Sequence, residues 1–127
     1  EDDQCVAFMD LFPLRAGHAL VIPKGHCQYL GELDTGLRHH LFDVAQQILE
    51  AQRRIGLGCE GSNLLVNDGK AANQHVPHVH IHVLPRSRGD LPFMAASFLS
   101  RMLSVFGGRK KRNKLNQIAE KLRTVMD

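Results

Sequence analysis

Seven consecutive residues, His78-Val79-His80-Ile81-His82-Val83-Leu84, alternate imidazole with aliphatic side chains. A period of two belongs to an extended strand, whose successive side chains point to opposite faces. Read this way, the three imidazoles share one side while Val79, Ile81 and Val83 share the other. A helix would scatter both sets around its circumference. The chain is therefore expected to fold around a sheet with one face buried and one face open and rich in histidine.

The rest of the sequence fits that frame. Cys5–Phe12 and His18–Ile22 read as strands joined by the Pro13–Gly17 turn, and Ser62–Asn67 as a third. Leu37, Leu41, Val44, Ala45, Ile48 and Leu49 recur at helical spacing from Asp34 to about Ile55. Asp34 or Thr35 is placed to cap that helix and Gly56 to end it. Strand, strand, helix, strand, strand, without a parallel crossover repeat, predicts an α+β fold: an antiparallel sheet with a helix packed on one face. Beyond Pro85 the pattern turns helical. Ala95, Phe98, Leu99, Met102, Leu103 and Phe106 trace one apolar face, and Leu115, Ile118, Ala119, Leu122 and Met126 trace another. Gly107-Gly108 separates them, and Asn113 is a candidate cap for the second. Residues 1–90 are expected to form the core domain and 91–127 a helical C-terminal extension of it.

At 127 residues, with 43% hydrophobic and 23% charged side chains, the chain has the balance of one globular domain. No apolar run approaches the roughly 20 residues that cross a bilayer, and no signal peptide opens the chain, so membrane and secreted roles are not expected. Cys5, Cys27 and Cys59 are odd in number and form no C-x-x-C pair, which suits a reducing cytoplasm and buried, apolar-like thiols. Residues 1–84 carry 6 basic and 10 acidic side chains, whereas residues 85–127 carry 10 and 3. The basic excess peaks at Arg109-Lys110-Lys111-Arg112 and Lys114. It lacks interleaved aromatics and reads as a solvated, mobile connector rather than a nucleic-acid interface.

Charge limits what the histidine row can do. Alternate positions on a strand are about 6.6 Å apart, a spacing suited to a polyphosphate rather than to a single atom. Two imidazolium rings about 7 Å apart repel by roughly 2.4 kcal/mol at an effective dielectric of 20, so the three are not all cationic at neutral pH. A neutral ring is a nucleophile, and a protonated neighbour stabilises phosphoryl oxygens. Metal ligation is the next reading, although the adjoining Asn73-Gln74-His75-Val76-Pro77 adds neither carboxylate nor thiolate. A purely structural row is third, since three polar rings would need three partners.

His78–Arg86 (HVHIHVLPR) closely resembles the signature of the histidine triad (HIT) superfamily. The likeness extends in order through Glu1–Leu11, Gly17–Lys24, Asn67-Asp68-Gly69 and Asn73-Gln74, from residue 1 to about 90. The resemblance implies an α+β, usually dimeric fold that binds purine nucleotides and cleaves at the α-phosphate. His80 would attack phosphorus, the main-chain carbonyl of His78 would fix its tautomer, and His82 would hold phosphoryl oxygens. His18 matches a histidine that helps relay protons; a satisfied core histidine is the alternative. Asp10 matches a ribose ligand, Phe8 and Leu11 the wall of the base pocket, and Asn67 and Gln74 ligands of the phosphates and leaving group. Phe8 and Leu11 are expected to be buried whatever their role, and Asn67 equally suits a turn before Asp68-Gly69.

Two positions depart from the family pattern: Asn73 replaces a glycine in the phosphate loop, and His75 replaces a small hydroxyl residue. The family's first strand, which completes the base pocket, would precede residue 1, and the resemblance carries no metal ligand into this chain. The function expected is hydrolysis or nucleotidyl transfer on a purine nucleoside phosphoramidate or dinucleoside polyphosphate. It needs no cofactor beyond a divalent cation with long polyphosphates. The alternatives are a non-catalytic purine-nucleotide binder and a metal-binding protein. A homodimer is expected, without membrane or nucleic-acid partners.

Overall fold

The computed structural model describes residues 1–103 and 109–126, with side chains for 1–99 and 112–126. Four strands, β1 (Cys5–Met9), β2 (Ala19–Pro23), β3 (Gly61–Val66) and β4 (Ile81–Arg86), form one antiparallel sheet in the order β1-β2-β4-β3. Helix α1 (Thr35–Arg54) packs on β2 and β4, and two further helices follow, α2 (Leu91–Leu103) and α3 (Arg109–Met126). The α+β architecture expected from the alternating pattern is the one observed.

Register assigns the two faces. Ala7, Val21, Ile81 and Val66 pair across the four strands in one row, and the neighbouring row runs Phe8, Leu20, His82 and Leu65. The first row points into the core with Leu41, Ala45 and Ile48 of α1. Each fully buried aliphatic side chain there contributes roughly 1.5–3 kcal/mol of transfer free energy. The second row faces away from α1.

Local chemistry sets the element ends. Asp34 caps α1 by accepting from the Leu37 amide at 2.9 Å, and the chain leaves the helix through Gly56 at φ 81°. β1 stops at Met9 rather than Phe12, because Asp10 Oδ1 accepts from the Phe12 amide at 2.8 Å and turns the chain. β4 begins at Ile81 rather than His78. Its neighbour β2 ends at Pro23, which has no amide to extend the ladder, and the Val79 amide instead donates to the Cys27 carbonyl at 2.7 Å.

The C-terminal part differs from expectation in three ways. The basic run Arg109–Arg112 and Lys114 opens α3 instead of forming a mobile connector, and the helix starts four residues before Asn113. The Gly107-Gly108 break and Phe106 lie outside the described residues. Ala95, Phe98 and Leu99 of α2 are exposed rather than packed into a core. α3 does pack, burying Leu115 and Leu122, and Arg54 of α1 donates to the Val125 carbonyl at 2.7 Å near its end. Cys59 is exposed in the turn after α1, unlike the buried Cys5 and Cys27.

Candidate functional site

On the sheet face opposite α1 lies a cavity of about 550 Å³ whose lining includes His18, Asn67, Asn73, His75, His80, His82 and Phe98. The edges of the sheet and the turn before β4 bring these side chains together. His80, like His78, is partly exposed, and its Nδ1 lies 2.8 Å from the main-chain oxygen of His78. A carbonyl can only accept, so this contact places the ring proton on Nδ1 and leaves Nε2 with its lone pair. The His80 and His82 rings stand edge to face, 4.8 Å between centroids.

Behind them the rings of His18 and His82 are linked by Nε2 and Nδ1 at 2.9 Å. His18 is 1% exposed, and the Leu14 amide donates to its Nδ1 at 3.2 Å. An Nδ1 that accepts puts the proton on Nε2, which makes His18 the donor to His82. Gln52 of α1 supports this corner from below, donating to the carbonyls of Gly17 at 2.9 Å and Val83 at 3.4 Å. The sequence holds a signal for Gln52, which falls four residues after Ile48 on the buried stripe of α1 where an apolar residue would be expected.

The first ring of the row diverges. His78 Nε2 bonds the Pro23 carbonyl at 2.9 Å, and its Nδ1 is 3.4 Å from that of His26. Residues 78–80 precede the ladder, yet Val79, Ile81 and Val83 lie in the core as the alternation predicts; His80 and His82 line the cavity, whereas His78 engages Pro23 and His26. Among the described residues the groups with metal-ligand spacing are Asp10, His18 and His82, all buried, and Asp2, Cys5 and His40.

The other expected ligands divide into three groups. Phe8 and Leu11 are 45% and 46% exposed, not buried: Phe8 sits on edge strand β1, on a face with no described layer over it, and Leu11 lies in the turn after that strand. Asn67 and Asn73 line the cavity, and Asn73 adopts the left-handed conformation (φ 62°, ψ 32°) that a glycine would take without strain. Asp10 and Gln74, by contrast, are engaged elsewhere. Asp10 is 4% exposed, with its carboxylate on the Phe12 amide and 3.5 Å from His18 Nδ1. Gln74 accepts from the Gly69 amide at 2.8 Å and donates to the Gln28 carbonyl at 2.7 Å, tying the 69–74 loop to residue 28. Neither is among the residues lining the cavity.

Helix α2 is anchored where the sheet ends. Arg86 grips Asp90 through Nε and Nη2, the Ser87 amide donates to Asp90 Oδ2 at 2.9 Å, and Arg86 also reaches Asn63. The Arg86 guanidinium and the Ser87 amide hold the Asp90 carboxyl well below the usual carboxylate range. This clamp positions Phe98 at the cavity, a residue that the sequence pattern had assigned only to a helical stripe.

Residues 1–89 match the model of the HIT domain family. The chain belongs to that family. It is 37% identical over 81 residues to the adenosine 5′-monophosphoramidase of Schizosaccharomyces pombe, covering 64% of this chain and 57% of that protein. It is also 35% identical over 105 residues to an adenylylsulfatase of Arabidopsis thaliana, covering 83% of this chain and 53% of that protein. Among solved structures, a Hit-like protein of Bartonella henselae superposes with a TM-score of 0.75 at 28% identity, covering 98% of this chain and 81% of that one. The cavity of this HIT domain protein thus sits in a fold whose relatives include nucleotide hydrolases. No described helix is long and apolar enough to cross a membrane.

Proposed function

We propose that this HIT domain protein cleaves purine nucleotides at the α-phosphate through a covalent nucleotidyl intermediate on His80. Its substrates are a nucleoside phosphoramidate or a dinucleoside polyphosphate. The observation that carries this reading is the 2.8 Å contact between His80 Nδ1 and the His78 carbonyl in a ring that lines the cavity. Nε2 attacks the α-phosphorus, and the bond to the leaving amine or phosphate breaks with its electron pair. The leaving group takes up a proton, water then attacks phosphorus, and the N–P bond breaks to regenerate the neutral ring. His82 stabilises phosphoryl oxygens, and His18 sets its protonation.

Phe8, on the His82 side of the sheet, and Leu11, in the turn after β1, offer exposed apolar surface and form the base wall in this reading. Asn67 and Asn73 contact phosphate oxygens. Asp10 and Gln74 act from behind, holding His18 and the phosphate loop. Residues 91–127 extend the 1–90 domain, and Phe98 brings that extension to the cavity. The exposed Leu64 and Leu65 on edge strand β3 support a homodimer, and the three free cysteines support a reducing, cytoplasmic setting.

The decisive experiment is rapid-quench mass spectrometry without acid, using an adenosine phosphoramidate and a diadenosine polyphosphate. A nucleotidylated peptide containing His80 is expected, along with loss of turnover by several orders of magnitude in His80→Ala. Tight AMP binding without an adduct, or near-normal turnover in His80→Ala, refutes the assignment. The polyphosphate-to-phosphoramidate rate ratio identifies the leaving group.

A further inference from the structure

On the α1 side of the sheet, away from the cavity, three side chains of different donor chemistry meet. Asp2 Oδ1 accepts from the amides of Gln4 and Cys5, each at 2.8 Å, which fixes the carboxylate and turns its other oxygen inward. That oxygen, Oδ2, lies 2.8 Å from His40 Nε2 and 3.4 Å from Cys5 Sγ. All three potential ligand atoms fall within 4.8 Å of one another. They come from the segment before β1, from the first residue of β1, and from the second turn of α1. Cys5 is 2% exposed and forms a closed inner wall. The side chains of His40 and Asp2 are 34% and 43% exposed and leave the outer side open to solvent.

A tetrahedral ion with bonds of 2.0–2.3 Å separates its ligand atoms by about 3.3–3.7 Å. The carboxylate–thiol distance already lies in that range, and the carboxylate–imidazole distance needs to open by about 0.5 Å. We propose that Asp2, Cys5 and His40 form a site for a zinc-class divalent cation that ties the start of β1 to α1. One thiolate, one imidazole and one carboxylate suit a borderline-soft ion, whereas magnesium and calcium require an oxygen cage. On binding, the thiol releases its proton to solvent and His40 presents a deprotonated Nε2. The two hydrogen bonds to Asp2 Oδ2 are replaced by three metal–ligand bonds, and water fills the fourth position. The amides on Oδ1 hold the carboxylate in place in both states. The competing reading is a plain hydrogen-bonded latch with no ion.

Cobalt(II) added to chelator-stripped protein separates the two, because a thiolate-to-cobalt charge-transfer band reports sulfur ligation that histidine clusters cannot produce. The band is expected in the wild type and in a Cys27→Ser/Cys59→Ser variant, is displaced by zinc, and is absent in Cys5→Ser. Asp2→Ala and His40→Ala, at accessible positions, should weaken cobalt binding by at least about tenfold. Zinc should also raise the Tm of the wild type but not of Asp2→Ala. The site is refuted if the wild type gives no band with excess cobalt, if Cys5→Ser retains it, or if both alanine variants bind as tightly as the wild type.

Discussion

Nε2 of His18 and Nδ1 of His82 stand 2.9 Å apart across the β2–β4 boundary, so the two rings share one hydrogen bond and one protonation decision. In the proposed reaction His80 meets the phosphate, and His18, whose ring is hydrogen-bonded to His82, acts through that ring as a positioning residue. His18→Gln should lower kcat by about two orders of magnitude, within the range of positioned acid–base groups. Because the ring is buried, the variant should also melt several degrees earlier. The discriminating measurement is the pH–rate profile: loss of stability with an unshifted profile would assign His18 to the core alone.

Asn73 is the single non-glycine residue with positive φ among the described residues. Asn73→Gly should leave stability within a few tenths of a kcal/mol of the wild type, whereas Asn73→Ala should cost about 1 kcal/mol, because an alanine Cβ is strained there. Urea unfolding measures both. Equal costs for the two variants would mean that the Asn73 side chain, not its backbone, holds the loop.

The three thiols should react unequally. Cys59 is exposed, while Cys5 and Cys27 are buried, and burial together with the neighbouring Asp2 carboxylate pushes the Cys5 thiol up to about 11. Folded, metal-free protein at pH 8 should release one equivalent of thiol rapidly to a disulfide reagent and the remaining two only on unfolding. Peptide mapping should place the fast adduct on Cys59.

Asp90 links pH to stability. Its carboxyl is held below the ordinary value of 3.8 mainly by Arg86, so the folded state prefers the charged form. The stabilisation is complete above that ordinary value and is lost as pH falls through the lowered one. Asp90→Asn should therefore have a lower Tm at neutral pH and a shallower decline of Tm below pH 4. A parallel decline in both proteins would remove Asp90 from the acid transition.

The sheet was readable from residues 78–84 because Ile81, Val83 and His82 obey strict alternation, and the register places them on opposite faces. The stop of α1 was readable from Gly56, whose positive φ ends the helix. What the pattern could not show was where pairing ceases. Pro23 lies on β2, and its effect on residues 78–80 depends on a neighbour 55 positions away, so the outward turn of His78 toward His26 was invisible locally. Asp10 and Gln74 follow the same rule. The family resemblance suggested ligands, and local sequence could not show that His18 and Gln28, brought close by the fold, engage their polar atoms. Phe98 reaches the cavity only because the Arg86–Asp90 clamp aims α2, a geometric fact that no helical period encodes.

The early end of the ladder has a mechanical corollary. His82 is held by strand pairing on both sides, whereas His80 stands one step beyond the last rung, so the backbone at His80 can adjust without disturbing the pairing of His82. In the proposed reaction, changes of size or charge in the 70–77 turn, such as at His75 in the cavity lining, retune which leaving groups fit without re-registering the sheet.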